Sequence, residues 1–273
     1  MRELTASHDT ANLLHPGFPH GEEKPMTPLG PLRSIPLFSH LREQDMARIG
    51  HFARERSYPK NSVIVFEEDP GDSLYVVMNG QVKVVLIGED GREVILSTPS
   101  RGDFFGEMSL IDDQPRSAHV IAMEDSQLLV LRREDFHQCL SEMPGIAIGL
   151  LRAMCKRLRQ ADNKIGGLVL LDVPGRVARL LLELADENDG EHITKRITHH
   201  LIAQMIGSSR ETVSRTMRNL VDRQLIEVSR SRITLRDRDS LETVAGRDTM
   251  GPAQRFHYDG ANDRRKQDGH AHR

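Results

Sequence analysis

Two hydrophobic periods run along this 273-residue chain, and the places where one gives way to the other divide it. Between Tyr58 and Arg132 apolar residues come in short runs broken by turn formers. Val63–Phe66 precedes Asp69-Pro70-Gly71-Asp72, Leu74–Met78 precedes Asn79-Gly80, and Gln81–Ile87 precedes Gly88-Glu89-Asp90-Gly91. Val94–Leu96 then leads to Pro99 and Gly102, and Ala118–Met123 and Gln127–Leu131 close the series. Short β-prone runs separated by Gly, Pro, Asn and Asp predict a small antiparallel barrel or roll.

Helical spacing holds on either side. Leu37, Phe38, Leu41, Met46, Ile49 and Phe52 predict short helices over Pro31–Phe52, with Ser39 as an N-cap. Glu134–Met143 reads as a short helix stopped at Pro144-Gly145, and a long helix follows from Ile146 to about Leu171. Its Ala147, Leu151, Met154, Leu158, Ala161, Ile165 and Leu168 step by 4, 3, 4, 3, 4 and 3, with Arg152, Lys156, Arg157 and Arg159 off the stripe. So narrow a stripe favours a two-chain coiled coil over a helix packed in its own domain, which needs a wider apolar face.

Asp172-Val173-Pro174-Gly175 reads as a hinge, followed by an amphipathic helix Arg176–Leu184 and an acidic loop Ala185–Glu191. Ile197–Ile206, Gly207 and Ser208–Arg223 predict helix, tight turn, helix, with Ser208 or Ser209 capping the second. Ile226–Val228 and Arg232–Leu235 predict a hairpin wing around Ser229-Arg230-Ser231. The expected segments are a disordered arm 1–28, a β-rich domain 29–145, the long helix 146–172, a helical domain 173–243 and a disordered tail 244–273.

Composition narrows the function. No apolar run approaches a membrane span and no signal-peptide pattern opens the chain, so a cytoplasmic protein is expected. Two cysteines are too few for a disulfide framework or a cluster of four thiolate ligands. The 13 histidines are scattered, and adjacent His199 and His200 would point about 100° apart on a helix. With no metal-ligand spacing and no nucleophile–base motif, an enzyme is not expected. Net charge is −3, yet residues 195–238 hold ten Lys/Arg against four Asp/Glu. That local basic footprint points to nucleic acid despite the acidic total.

The candidate chemistry of the β-rich domain is concentrated in Gly106-Glu107-Met108-Ser109 and Arg116-Ser117. A glycine admits close backbone approach, and amides at the start of a short helical turn face an anion. Arg116 offers a planar fork for phosphate oxygens and Ser117 a hydroxyl, while the Glu107 carboxylate suits a ribose hydroxyl. Together these read as a sugar-phosphate pocket for a nucleotide.

Three motifs in this order resemble the CRP/FNR family of transcription regulators. Phe105–Ala118 looks like its phosphate-binding cassette, Lys164–Arg176 like the dimer-helix end and hinge, and Ile197–Ile226 like its helix-turn-helix. The resemblance covers about residues 31–237, and the Gly207–Arg215 run is highly specific. It implies an α+β chain: an N-terminal antiparallel β-roll that binds a cyclic nucleotide, a long dimerisation helix, and a C-terminal winged helix-turn-helix. It also implies a homodimer bound to double-stranded DNA and working with RNA polymerase, which relatives contact at the position of the acidic Asp186–Glu191 loop. Ligand binding would shift the helix end at Leu168–Val173 and swing the DNA-binding units about the hinge into consecutive major grooves.

By the same resemblance Arg210, Glu211 and Arg215 read bases of TGTGA-type half-sites. Arg grips guanine O6 and N7, and Glu accepts from cytosine N4. Ser209 and Thr212 fit phosphate contacts that position the helix. Three departures stand out: Ser214 replaces a usual glycine, Arg230 occupies the wing turn, and His199 stands where an arginine contact is often found. Where cAMP-responsive members place a Thr-Ser pair against adenine, this chain has Ala161-Asp162. A carboxylate matches the N1–H and N2–H₂ edge of guanine and opposes the N1 acceptor of adenine, which favours cyclic GMP or cyclic di-GMP. The plain alternative is an Asp162 pair with Arg159 or Lys164. A haem sensor using His51 or His119, and a cyclic-nucleotide-binding regulatory subunit that does not bind DNA, are the rival readings.

Overall fold

The computed structural model describes residues 24–25, 32, 35–39, 41–195, 197–229 and 232–246. These form two compact units. One comprises described residues up to Leu86 together with Ser97–Ala153, the other Ile87–Leu96 together with described residues from Met154 on.

The strands of the β-roll lie in two antiparallel sheets. Strands β1 (Lys24–Pro25), β2 (Arg54–Tyr58), β9 (Ser126–Arg132), β4 (Ser73–Asn79) and β7 (Phe104–Phe105) form the first, in the order β1-β2-β9-β4-β7. Strands β3 (Val63–Val65), β8 (His119–Ala122), β5 (Val82–Ile87) and β6 (Glu93–Ser97) form the second, in the order β3-β8-β5-β6. Alternation along β4 sends Tyr75 and Val77 into one buried cluster with Val65, Val82, Phe105, Val120, Leu128 and Val130. Leu74 and Val76 point to the opposite face and are buried as well. A strand buried on both faces reads as a continuous apolar run, which is why β4 is legible in sequence. The polar β2 (Arg-Glu-Arg-Ser-Tyr) carries no such signal, yet it pairs with β9 from Arg54↔Val130 to Tyr58↔Ser126. Within the arm expected to be disordered, Lys24 and Pro25 pair with Glu55 and Arg54, since β2 would otherwise leave backbone groups unpaired. The rest of that arm lies outside the described residues, as do the tail from residue 247 and Arg230 in the wing turn.

Three short helices accompany the roll: α1 (Glu43–Phe52), α2 (Met108–Ile111) and α3 (Arg133–Glu142). Ser39 does not cap α1. Its hydroxyl donates to the Pro36 carbonyl at 3.0 Å, and Arg42, pinned to Asp45 at 2.8 Å, takes the N-cap position. Pro144 opens helix α4 (Pro144–Leu170) instead of stopping α3, because proline at a first helical position loses no hydrogen bond. Along α4 the stripe stands exposed in the single chain: Leu151 is 60%, Leu158 64% and Ile165 59% accessible.

The second unit begins its DNA-type domain with α5 (Val173–Asp186). The expected hinge is narrower than its sequence suggests. Asp172 is the N-cap, its carboxylate accepting from Gly175 N at 2.8 Å, and Val173-Pro174-Gly175 are already helical. Such a cap stabilises a helix by about 1 kcal/mol. The acidic loop correspondingly starts only after Asp186. Helices α6 (His199–Ile206) and α7 (Arg210–Asp222) follow, joined by Gly207 at φ +63°. A three-stranded sheet orders β10 (His192–Ile193), β12 (Ile233–Leu235) and β11 (Ile226–Val228) as β10-β12-β11. Helix α8 (Arg238–Val244), unforeseen in sequence, is capped by Asp237 and buries Leu241 in the core with Val177, Leu181, Ile202, Val213, Met217 and Leu220.

Candidate functional site

The first site is built around a buried cation. Arg116, 5% exposed, donates through Nη1 to the Gly106 carbonyl and through Nη2 to the Ser73 carbonyl, each at 2.7 Å. Its Nη2 lies 3.5 Å from Asp72 Oδ1, and its Cζ sits 5.9 Å above the centre of the Tyr75 ring. Tyr75 is itself stacked on Phe105, ring centres 5.0 Å apart and planes within 7°. Burial pulls the Arg116 pKa below the ordinary arginine value, and Tyr75, Asp72 and Glu107 oppose that pull. The same burial pushes the Tyr75 hydroxyl up to about 12. Two of five guanidinium N–H donors are therefore spent on carbonyls that fix its plane, and Asp72 stands beside Nη2.

Gly106 makes this possible. At φ +84° a side chain is disfavoured, and a Cβ there would stand 2.6 Å from Arg116 Nη1. Glu107 and Ser109, both 2% exposed, lie beside it, Glu107 at the N-cap position of α2 without capping through its side chain. Met108 is half exposed, and its sulfur accepts from the exposed Ser117 hydroxyl at 3.9 Å. The structure thus gathers Gly106, Glu107, Met108, Ser109, Arg116 and Ser117 in one unit. Arg116 pairs with neither Asp112 nor Asp113; Asp113 is held at 2.5 Å by Arg133.

Ala161 and Asp162 belong to the other unit, exposed on α4. Asp162 makes no hydrogen bond or ion pair among the described residues, while Lys164 donates instead to the Ile95 carbonyl at 2.5 Å. His119 is occupied: its Nδ1 accepts from Glu67 N at 3.2 Å and its Nε2 is 3.5 Å from the Glu67 carboxylate. Among the described residues no three His, Cys, Asp or Glu side chains cluster to hold a metal. None of the described helices is long and apolar enough to cross a membrane.

The second site is helix α7. Ser209 is its N-cap, accepting from Thr212 N at 3.2 Å, with the two hydroxyls 3.1 Å apart. Val213, Met217 and Leu220 are buried, each contributing about 1.5–3 kcal/mol of apolar burial that holds the helix down on its domain. The opposite face carries Arg210, Glu211 and Arg215, all exposed, with Ser214 half-buried beside them and His199, also half-buried, at the start of α6. Neither arginine side chain makes a hydrogen bond or ion pair among the described residues, although the charge of Arg210 acts on Glu211. The Glu211 carboxyl is held below its ordinary pKa by its own backbone amide and then by the Ser209 hydroxyl.

Comparison with known proteins bears on both sites together. Residues 55–143 match the model of the cyclic nucleotide-binding domain, and residues 175–244 match that of the Crp-like helix-turn-helix domain. The cyclic AMP receptor protein of Thermus thermophilus is 33% identical over 214 residues, covering 78% of this chain and 98% of that protein. The chain belongs to the CRP/FNR family. The cAMP-activated global transcriptional regulator CRP of Salmonella typhimurium is 36% identical over 174 residues, 62% of this chain and 83% of its own. Among solved structures, the c-di-GMP responsive global regulator CLP of Xanthomonas campestris superposes with a TM-score of 0.63 at 25% identity, covering 71% of this chain and 99% of CLP.

As a CRP/FNR regulator the chain combines a cyclic nucleotide-binding domain with a DNA-binding helix-turn-helix, in a mixed α+β fold. Sequence reasoning missed three side chains around Arg116: Tyr75, Asp72 and Arg133. Tyr75 read as part of the strand run Leu74–Met78, and Asp72 read as a turn residue. Arg133 opens a helix 17 positions after Arg116 with no motif to flag it.

Proposed function

We propose that this protein is a homodimeric, sequence-specific transcription regulator of the cytoplasm, controlled by a cyclic nucleotide and acting with RNA polymerase. The observation that carries the reading is the buried Arg116 fork, its plane fixed by the Gly106 and Ser73 carbonyls and its charge faced by Asp72, the carboxylate a phosphate would replace. In this reading Glu107 takes the ribose hydroxyl, while Gly106, Met108, Ser109 and Ser117 complete the phosphate end. The exposed stripe Leu151, Leu158 and Ile165 of α4 is the surface that pairs with a second copy, and seven-residue steps suit a left-handed coiled coil. Arg210, Glu211 and Arg215 read TGTGA-like half-sites arranged as a palindrome, with Ser209, Thr212, Ser214 and His199 contacting or positioning the backbone.

The base of the ligand meets α4 at Ala161-Asp162. Cyclic AMP is favoured by the relatives named for it. A guanine nucleotide, cyclic GMP or cyclic di-GMP, is favoured by one specific observation: the Asp162 carboxylate is exposed and uncommitted among the described residues, ready to accept two donors. A gel shift on a palindromic TGTGA duplex with each of the three nucleotides tests the whole reading. One nucleotide is expected to change DNA affinity at micromolar concentration, and that response should vanish in Arg116→Ala. No response to any of the three removes the effector assignment. Light scattering tests assembly: the wild type should run as a dimer and Leu158→Glu as a monomer.

A further inference from the structure

The segment Gly71–Ser73, whose Ser73 carbonyl holds Arg116, also lines a second concentration of positive charge. A cavity of about 360 Å³ is lined by Arg54, Arg56, Arg132 and Arg133, with Asp72 and Glu134 as the carboxylates in its walls among the described residues. Asp113, outside the lining, holds Arg133, so the positive charge of the cavity rests on Arg54 and Arg132. Arg54 spends Nη1 on the carbonyls of His51, Phe52 and Ala53 at the end of α1, contacts that cancel none of its charge. The Arg132 side chain makes no hydrogen bond or ion pair among the described residues. Like charges gathered around a concavity repel one another, and an anion seated between them relieves that repulsion.

The walls of this cavity are also the supports of the nucleotide cassette. Arg133 donates to the Gly71 carbonyl from Nε at 3.1 Å and from Nη2 at 2.7 Å, to the Ser109 carbonyl at 2.8 Å, and to Asp113 at 2.5 Å. It thereby ties the segment before β4 to α2. Asp72 is shared: it lines the cavity, and its carboxylate lies 3.5 Å from Arg116. Its side chain is 84% exposed and free to swing.

We propose that this arginine-lined cavity is a second anion site, for a small phosphate-bearing anion, and that its occupancy opposes cyclic-nucleotide binding through Asp72 and Arg133. A ligand phosphate arriving at Arg116 must displace the Asp72 carboxylate, and the positive cavity is where that carboxylate goes. An anion already in the cavity repels Asp72 back onto Arg116. It also competes with Gly71, Ser109 and Asp113 for the Arg133 guanidinium, loosening the support of the cassette. Both effects have the same sign, and coupling is reciprocal, so each ligand weakens the other. The coupling rests on the cyclic-nucleotide reading above, whereas the anion site itself does not.

Inorganic pyrophosphate is the probe. Calorimetry on the full chain at constant ionic strength should show one site per chain, lost in the double variant Arg54→Ala/Arg132→Ala. Pyrophosphate at saturation should weaken cyclic-nucleotide affinity by about fivefold, within the ordinary range of coupling. Asp72→Asn should keep both binding events and shrink the coupling. Absence of pyrophosphate binding, or binding that survives the double variant, overturns the site. Binding with unchanged nucleotide affinity, or full coupling in Asp72→Asn, overturns the mechanism. Pyrophosphate binding with no nucleotide binding at all overturns the cyclic-nucleotide reading and the coupling while leaving the site standing.

Discussion

Arg116 and Arg210 are the same residue put to opposite uses. Arg116 is almost wholly buried, its plane fixed by two carbonyls, an aromatic ring below it and a carboxylate beside it. Arg210 stands at the start of α7 in solvent, its side chain making no hydrogen bond or ion pair among the described residues and its charge acting on Glu211. The first is pre-organised, so in the proposed function little ordering is left to do when a phosphate arrives. The second is solvated, so in the same proposal a base edge finds its donors accessible. That proposal has a small ligand met by rigidity and a long polymer by availability. The lesson is that a motif's arginine must be read with its partners before its role is assigned.

That contrast is easiest to break at its rigid end. Arg116→Ala removes the anion's main partner and leaves two buried carbonyls without a donor. Cyclic-nucleotide affinity should fall at least about 100-fold, and thermal stability should drop by about 1–3 kcal/mol. Arg116→Lys, which keeps the charge and loses the fork, should recover only part of the affinity. Equal affinity in the lysine variant would show that charge alone suffices.

At the exposed end a smaller effect is expected. Arg210→Ala should reduce discrimination between the TGTGA palindrome and a scrambled duplex by about 1–3 kcal/mol per half-site, with no change in melting temperature. Unchanged discrimination would reassign the residue to backbone contact. Asp162→Ala should narrow any preference for a guanine over an adenine nucleotide by about tenfold or less, measured by competition for one site. A wild type that prefers cyclic AMP removes the guanine reading.

The smallest expected effect is one of pH. Glu211 is held below its ordinary value of 4.5 by its own amide and Ser209. A depressed pKa means that the ionised, accepting form persists above that value and is lost only as pH falls through the lowered one. The discrimination lost in Glu211→Gln should therefore be the same at about pH 5 as at about pH 7. A loss confined to neutral pH would show the carboxylate titrating there.

Much of this was legible in the chain before any coordinates. The apolar runs of β4 and β9, the stripe of α4 and the Gly207 turn each leave a periodic or conformational signature. The cassette is legible because Gly106 and Arg116 need each other, ten residues apart. Arg133, Asp72 and Tyr75 are not legible, because their roles arise from neighbours brought close by folding. Strand β2 is hidden for a related reason. Its pairing is a backbone property, and its arginines serve a cavity instead of a core. Pro144 misleads because the same residue stops one helix and starts the next.

The bare stripe of α4 has a consequence for how such a regulator counts its own copies. In the dimer proposed above, Leu151, Leu158 and Ile165, exposed in the single chain, are covered by a second copy. Below the concentration at which pairing occurs, occupancy of a palindrome grows as the square of the number of chains made. Doubling expression then quadruples the bound fraction, and the melting temperature rises with dilution reversed. In that proposal gene dosage becomes a signal in its own right.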